Sequence, residues 1–405
     1  MNHDFDKRVA GTLPKETLFL HTYAGAASIK ELKDGRLLNI VGRLEKQISE
    51  DGGETWSEPA PLTDRSGNQI VGNSANLVVL KSGALGLIYA FTPEGDKGRP
   101  AWFIRSEDDG ENWSDPVLVS EPSIKAAIWN DTAIVTSTGR IVLPVYWYVG
   151  KRVIIPQGVS AAVGLFGDEW TGVGGHGYEN IIDTTWVYYS DDEGQTWRRN
   201  EDGEMMVTID YSAGGHFSCE ESVVAEVSPG HLLMVHRTQL GRLFQSWSDD
   251  DGSTWSHPEP TTLASSRAPA CLRRVPGTDD LLILWNQVSG DEIERGRQRH
   301  RLTAAISQDG GATWKFRKNV GALDGDETTY VEPPPIRSYR AANYVPRLPH
   351  SDRVMDYVSV GFWKDRVIIN SKFKERGSDI DLPPRGKGVR TTITLGLPIQ
   401  WFYEA

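Results

Sequence analysis

Arginine is the residue type in this chain with the clearest capacity for chemistry. Arg43, Arg237, Arg242, Arg267, Arg299 and Arg301 all lie at the ends of short apolar runs, where strands meet loops. The chain as a whole is acidic, with 43 Lys and Arg against 55 Asp and Glu, a formal charge of −12. A cationic cluster in an acidic body suits an anionic ligand. The Arg fork suits a carboxylate because it can bind both oxygens. Other reactive side chains also open apolar runs: Trp129-Asn130-Asp131, His216, Glu220-Glu221 and Asp356-Tyr357, together with His21, Tyr23, Asn73 and Asn76. Singly, each has a plain structural reading, an Arg as the partner of a loop Glu or a Tyr as a core residue. They act together only if distant segments converge.

The elements that could gather them form a repeat. Ser49-Glu50-Asp51-Gly52-Gly53-Glu54-Thr55-Trp56 recurs around Asp108 and Trp113, Asp192 and Trp197, Asp250 and Trp255, and Asp309 and Trp314. Successive tryptophans are 57, 84, 58 and 59 residues apart. Each copy reads as a tight turn between two strands. The Asp carboxylate accepts backbone N–H groups of its own turn. The Gly provides a positive φ, the Ser adds a local bond, and the Trp wedges between sheets. These Asp residues are expected to hold turns and to do no catalysis.

Within each period the pattern is short strands with turns every 8–12 residues, hence all-β. Residues 26–32, 36–41 and 46–49 and the run at Trp56 make the first set of four. Four antiparallel strands per unit predict the blades of a β-propeller. The sixth blade would use residues 357–362, 366–371 and 391–397, and the N-terminus near residues 17–21 would lend its last strand. The expectation is one six-bladed domain over residues 1–405, with surface excursions at about 149–183 and 320–352. In such a ring, the starts of the inner strands and the loops joining second to third strands share one rim. The Asp turns occupy the opposite face. The reactive residues named above fall on the first rim, and the 149–183 excursion adds His176, Glu179 and Asp183.

Composition narrows the function classes. No apolar run approaches the roughly 18–20 residues of a membrane helix, and no signal-peptide pattern opens the chain, so a cytoplasmic location with no membrane partner is expected. Cys219 and Cys271 cannot make a disulfide framework, and no Cys/His spacing suits zinc. No metal and no cofactor are expected. The acidic balance argues against nucleic acid as a partner.

The Asp turns resemble the Asp boxes, or BNR repeats, of sialidases, and the resemblance spans about residues 18–403. The run from Glu221 to Val227, followed by Gly230 to Arg237, is similar to the fourth-blade signature, in which the first Glu and the closing Arg face the active site. Arg299-His300-Arg301-Leu302-Thr303 is similar to the segment carrying a later site Arg. Asp356-Tyr357-Val358-Ser359-Val360 is similar to the strand that opens with the nucleophilic Tyr. The resemblance implies a sialidase-like, exo-acting glycoside hydrolase on an acidic or related sugar. Tyr357 would be its nucleophile, Glu221 the base that takes the phenol proton, and Arg237 and Arg299 the carboxylate ligands.

Two positions depart from that pattern. Gly25 stands where sialidases place the first arginine, and the short link Gly42-Arg43-Leu44-Glu45 lacks the acid/base Asp. The proton donor is then sought in Asp131, His216, His176 or Glu179. Trp129 and Asn130, just before Asp131, could receive a sugar, and Arg242 and Arg43 complete the candidate binding residues. Two alternatives remain on the same scaffold. One is a polysaccharide lyase on uronate-containing saccharides, using His21, His216, Tyr357 and Arg237. The other is a glycan-binding propeller without turnover.

Overall fold

The computed structural model describes residues 18–22, 28–94, 100–121, 127–129, 131–149, 164–166, 169–171, 182–209, 216–323, 325–339, 345–348, 354–374 and 390–404. Six four-stranded antiparallel sheets form the blades of a propeller. The first strand, β1 (Leu18–Thr22), belongs to the last blade. Blade one is β2 (Ser28–Glu31), β3 (Leu37–Val41), β4 (Glu45–Ser49) and β5 (Ala60–Pro61). Blade two is β6 (Asn73–Val79), β7 (Leu85–Ala90), β8 (Ala101–Ser106) and β9 (Val117–Leu118). Blade three is β10 (Ile134–Val135), β11 (Ile141–Val149), β14 (Ile182–Ser190) and β15 (Arg198–Arg199); the hairpin β12 (Gly164–Phe166) and β13 (Glu169–Thr171) is inserted in it. A second hairpin, β16 (Val207–Ile209) with β17 (His216–Ser218), leads to blade four: β18 (Glu220–Ser228), β19 (His231–Arg237), β20 (Arg242–Ser248) and β21 (Glu259–Ala264). Blade five is β22 (Cys271–Arg274), β23 (Leu281–Asn286), β24 (Leu302–Ser307) and β25 (Lys315–Gly321), with a short helix α1 (Gly290–Glu294) between β23 and β24. Blade six is β26 (Val354–Trp363), β27 (Arg366–Lys374), β28 (Arg390–Pro398) and, outermost, β1.

The second strand of a blade is covered on both faces, and its sequence says so. β7 reads LGLIYA and β23 reads LLILWN, and every residue of both is buried. An alternating strand would leave one face to water; these continuous apolar runs need a neighbour on each side. The core accordingly lies between blades. Val78, Ile88 and Phe103 of blade two meet Ile141, Leu143 and Trp186 of blade three.

The Asp boxes behave as the sequence predicts. In the first, Asp51 Oδ1 accepts from Thr55 N at 2.8 Å and Ser49 Oγ accepts from Gly53 N at 2.7 Å. The same bonds recur in the other four. One detail differs from expectation. The first box Trp does not begin a strand: β5 starts four residues after Trp56. Trp113, Trp255 and Trp314 are buried, while Trp56 and Trp197 are half-buried. Each box leans on the blade before it: Trp113 on Leu38 of blade one, Trp255 on Val142 of blade three, Trp314 on Leu233 of blade four.

Gly194 shows how close this approach is. Its φ is +89°, and a Cβ there would lie 2.1 Å from the Phe103 ring of blade two. Gly194→Ala is therefore expected to lose about 2–4 kcal/mol, read as a lower urea midpoint at unchanged slope.

Blade six has no box. A 3-10 turn, Ile399–Tyr403, takes its place: Trp401 and Phe402 fill the seam with Leu302, Ala304 and Val320 of blade five, and Tyr403 Oη donates to Asp280 at 2.8 Å. The N-terminal strand closes the ring as expected, Leu18 facing Gly396 and His21 facing Ile393. That position corrects the placing of His21. It lies on the outermost strand of blade six, away from the central rim. Tyr23 lies outside the described residues. The 320–352 excursion is more than a surface loop, since Tyr339 packs against Val288 and Ile293 and Val331 is also buried.

Candidate active site

Four blades share an irregularity on or just before the inner strand. Ser74, Asp131, Glu221 and Tyr357 have φ of 60°, 58°, 43° and 54°. In blades two and four the residue follows the first cross-strand pair and in blade six the third, and the ladder slips there between Asn73 and Asn76, Glu220 and Val223, and Asp356 and Ser359. A left-handed non-glycine residue costs about 1–3 kcal/mol and persists only where the surroundings enforce it. The bulge re-aims a side chain that strict alternation would send between blades.

In blades four and six the re-aimed side chains meet. Tyr357 Oη lies 3.5 Å from Glu221 Oε1. Tyr146, on the second strand of blade three, approaches the same oxygen at 3.4 Å. Arg237 donates from Nη1 to Glu221 Oε2, and its Nε lies 3.6 Å from Glu220 Oε1. Arg299 bonds Asp356 and donates to the Arg267 carbonyl at 2.8 Å. Arg267 in turn bonds Glu220. Burial works against both guanidinium charges, yet Glu220 and Glu221 raise the pKa of Arg237, and Asp356 raises that of Arg299. The two arginines are therefore fixed cations.

The Tyr357 ring is enclosed by aromatic and cationic groups. Trp129 lies against it with ring centroids 4.4 Å apart. The Arg299 guanidinium is 5.2 Å from its centroid and Lys372 Nζ is 4.2 Å from it. Glu221 and Arg237 are buried, while Tyr357, Trp129, Lys372 and Arg299 are half-buried and form the accessible surface of the cluster.

Asp131 has a different place from the one the sequence suggested. It is 2% exposed. Its carboxylate accepts from Ser28 Oγ at 2.9 Å, Lys30 Nζ at 3.3 Å, and the Val360 N–H at 3.3 Å, and it pairs with Arg273. These partners come from blades one, five and six, so Asp131 of blade three ties the ring across its centre. Burial alone would raise its pKa, but Arg273, Lys30 and Ser28 outweigh it and the net shift is downward. Held among these partners, the carboxylate serves as a structural tie between blades.

The remaining candidates separate clearly. Arg242 bonds the backbone carbonyls of Thr261 and Pro334, fixing the segment after blade five onto blade four. Arg43 is exposed on the turn between β3 and β4, and no described contact joins it to the Tyr357 cluster. Arg301 is buried between Glu292 and Asp326, with 2.9 Å bonds to each. Glu292 also caps helix α1, so Arg301 braces a loop. The expected cationic rim is thus largely neutralised by internal carboxylates. His216 opens β17, but its side chain lies outside the described residues, as do Asn130, His176 and Glu179. Among the described residues, no three His, Cys, Asp or Glu side chains gather to hold a metal ion. The sequence reading missed Tyr146 and Lys372. Lys372 follows directly on the expected end of its strand, so the rim rule itself could have found it.

With this geometry in place, likeness to known proteins becomes informative. Residues 43–333 match the family model of the BNR repeat-like domain. The chain belongs to that family. Among curated relatives of this BNR protein is a sialidase of Bacteroides fragilis, 23% identical over 70% of the chain. The chain spans half the length of that relative. Two solved structures share the BNR protein's fold. A protein of unknown function from Dyadobacter fermentans has a TM-score of 0.61 at 16% identity, covering 96% of this chain and 100% of that one. A sialidase from Streptococcus pneumoniae has a TM-score of 0.58 at 13% identity, covering 96% of this chain and 72% of that one.

Proposed function

We propose that this BNR protein is a sialidase-like, exo-acting glycoside hydrolase for an acidic sugar, with Tyr357 as nucleophile and Glu221 as its base. The observation that carries the reading is the approach of Tyr357 Oη to Glu221 Oε1 at 3.5 Å, both on left-handed bulge residues. A phenol titrates near pH 10 in water and is a weak nucleophile when neutral. A carboxylate beside it can take the proton as the oxygen attacks the anomeric carbon. Such contacts are often long without substrate and tighten in the complex. Arg237 fixes the other oxygen of Glu221, so the base keeps its orientation. Attack forms a glycosyl–tyrosine bond and breaks the glycosidic bond, the aglycone oxygen taking a proton from solvent; water then cleaves the intermediate and gives up a proton to solvent, while Glu221 returns its proton to the phenol.

The likeness to sialidases and the family membership support this reading, and so does the half-buried Trp129 face, on which a sugar ring can stack. Arg237 and Arg299 would orient the sugar carboxylate with the parts of their forks that point away from Glu221 and Asp356. Glu221→Gln keeps the shape and removes the base. It is expected to lower kcat by roughly a hundredfold or more with KM little changed, in a released-sugar assay on aryl glycosides of acidic sugars. Full activity in the Gln variant would sink the proposal. A new ultraviolet-absorbing double bond in the product would instead mark a lyase.

A further inference from the structure

The path of the chain into blade three is irregular, and one buried side chain holds it. Ala127 faces Tyr146, and Ile134 faces Val142. The inner side therefore takes seven steps where β11 takes four. The surplus residues bulge out of the ladder, and Trp129 and Asp131 lie in the bulge. Asn76, on the inner strand of blade two, is 0% exposed. Its amide clasps the bulge at both ends. Nδ2 donates to the Trp129 carbonyl at 2.7 Å and to the Ser74 carbonyl at 3.1 Å. Oδ1 accepts from Thr132 N at 2.6 Å and from Ala133 N at 3.0 Å. A side-chain amide carries the same kinds of donor and acceptor as a peptide group. Asn76 thus supplies, across the boundary between blades, the bonds that a strand neighbour would make.

We propose that Asn76 is the positioning residue of the sugar platform: it fixes the Trp129 ring against Tyr357 before any sugar arrives. This rests on the reading of Trp129 as the face on which a sugar stacks. Asn76 is fully buried and its amide is engaged with backbone groups, so it acts through Trp129. The Trp129 ring is half-buried, with its centroid 4.4 Å from that of Tyr357. A bulge of this size with no clasp would leave Trp129 several orientations, and a sugar would have to select one. Ordering a side chain on binding costs affinity, and a platform set beforehand avoids that cost. The bond to the Trp129 carbonyl pins the backbone beside the ring, and the bonds at Thr132 and Ala133 pin its return to the blade. Both N–H groups and the oxygen of the Asn76 amide have partners. A fully satisfied buried polar group specifies a single local geometry. These bonds run to blades two and three, whereas the approach of Tyr357 to Glu221 joins blades six and four. Asn76 therefore governs binding and leaves the chemical step to others.

The test separates binding from turnover. The methyl glycosides of N-acetylneuraminic acid and glucuronic acid are the probes, with affinity read by calorimetry on the whole chain and kcat by sugar release. Asn76→Asp keeps the acceptor and removes both donors. It is expected to weaken binding of the preferred sugar by about tenfold while kcat changes little. Trp129→Ala should weaken binding at least as much. In the double variant the two losses should not add, because both act on one platform. Losses that add in full, or an Asn76→Asp variant that binds like the wild type, overturn the assignment. So does a wild-type chain that binds neither sugar. Hydrogen exchange on the wild-type chain decides the matter if the Asp variant does not fold. The Thr132 and Ala133 amides should be protected without sugar as well as those of β11, and fast exchange there overturns the assignment. The hydrolase reading fails separately. Sugar bound through Trp129 with no product released sinks the hydrolase and keeps Asn76. Product released by the wild type, with losses that add in full, does the reverse.

Discussion

Tyr357→Phe is expected to lower kcat by roughly a thousandfold or more while leaving sugar binding in place. The change deletes one oxygen and keeps the ring. The contact with Trp129 at 4.4 Å and the approach of Lys372 at 4.2 Å depend on that ring and survive. Phe also tolerates the left-handed backbone as well as Tyr does, so the bulge at φ 54° remains. What disappears is the atom facing Glu221. Water attacking directly could still turn over slowly, because Arg237 and Arg299 would continue to orient the sugar. The measurement is burst and steady-state release from an aryl glycoside, with binding followed separately. Equal rates in wild type and variant would remove the covalent route. A variant that no longer binds sugar would make Tyr357 a packing residue.

The second large effect concerns stability. Asp131→Ala is expected to destabilise the fold by roughly 3–5 kcal/mol, since removing one partner leaves Arg273 and Lys30 as uncompensated charges in a buried site. The pH dependence follows from the downward shift of the Asp131 pKa, in which Arg273, Lys30 and Ser28 prevail over burial. A carboxyl with a depressed folded pKa contributes fully above its unfolded value, about 3.9. That contribution is lost as pH falls through the lower folded value. The wild-type chain should therefore weaken in acid below about pH 4, and the variant should lose less over the same range. Urea unfolding at neutral and acid pH reads both. An Asp131→Ala variant as stable as the wild type but inactive would restore Asp131 to catalysis.

The ring was legible from sequence because its signal is local. Five boxes each confine Ser, Asp, Gly and Trp to eight residues, and the bonds they make stay inside those eight. The pairing of Tyr357 with Glu221 was reachable because both follow the start of an inner strand, the part of a blade that strand order alone sends to the rim. Asp131 obeys the same rule and still has another task. Its partners Lys30 and Arg273 lie 101 and 142 residues away, and nothing near Asp131 in the chain announces them. The arginines misled for a similar reason. A charge count gives their number, while their neutralisation by Glu220, Asp356, Glu292 and Asp326 is a matter of which loops meet. Lys372 follows directly on the expected end of its strand, and its pairing with Asp356 sets it at the rim.

The pairing of β1 with β28 also has a consequence for biosynthesis. Leu18 emerges from the ribosome long before its partner Gly396. At 5–20 residues per second the interval is roughly 20–80 s. Through that time an apolar strand, LFLHT, waits with no partner of its own, and unpaired strand edges of this kind recruit other chains. A nascent chain stalled before β28 would hold five blades and an open seam. Holding factors that bind extended apolar segments would thus influence the yield of this protein.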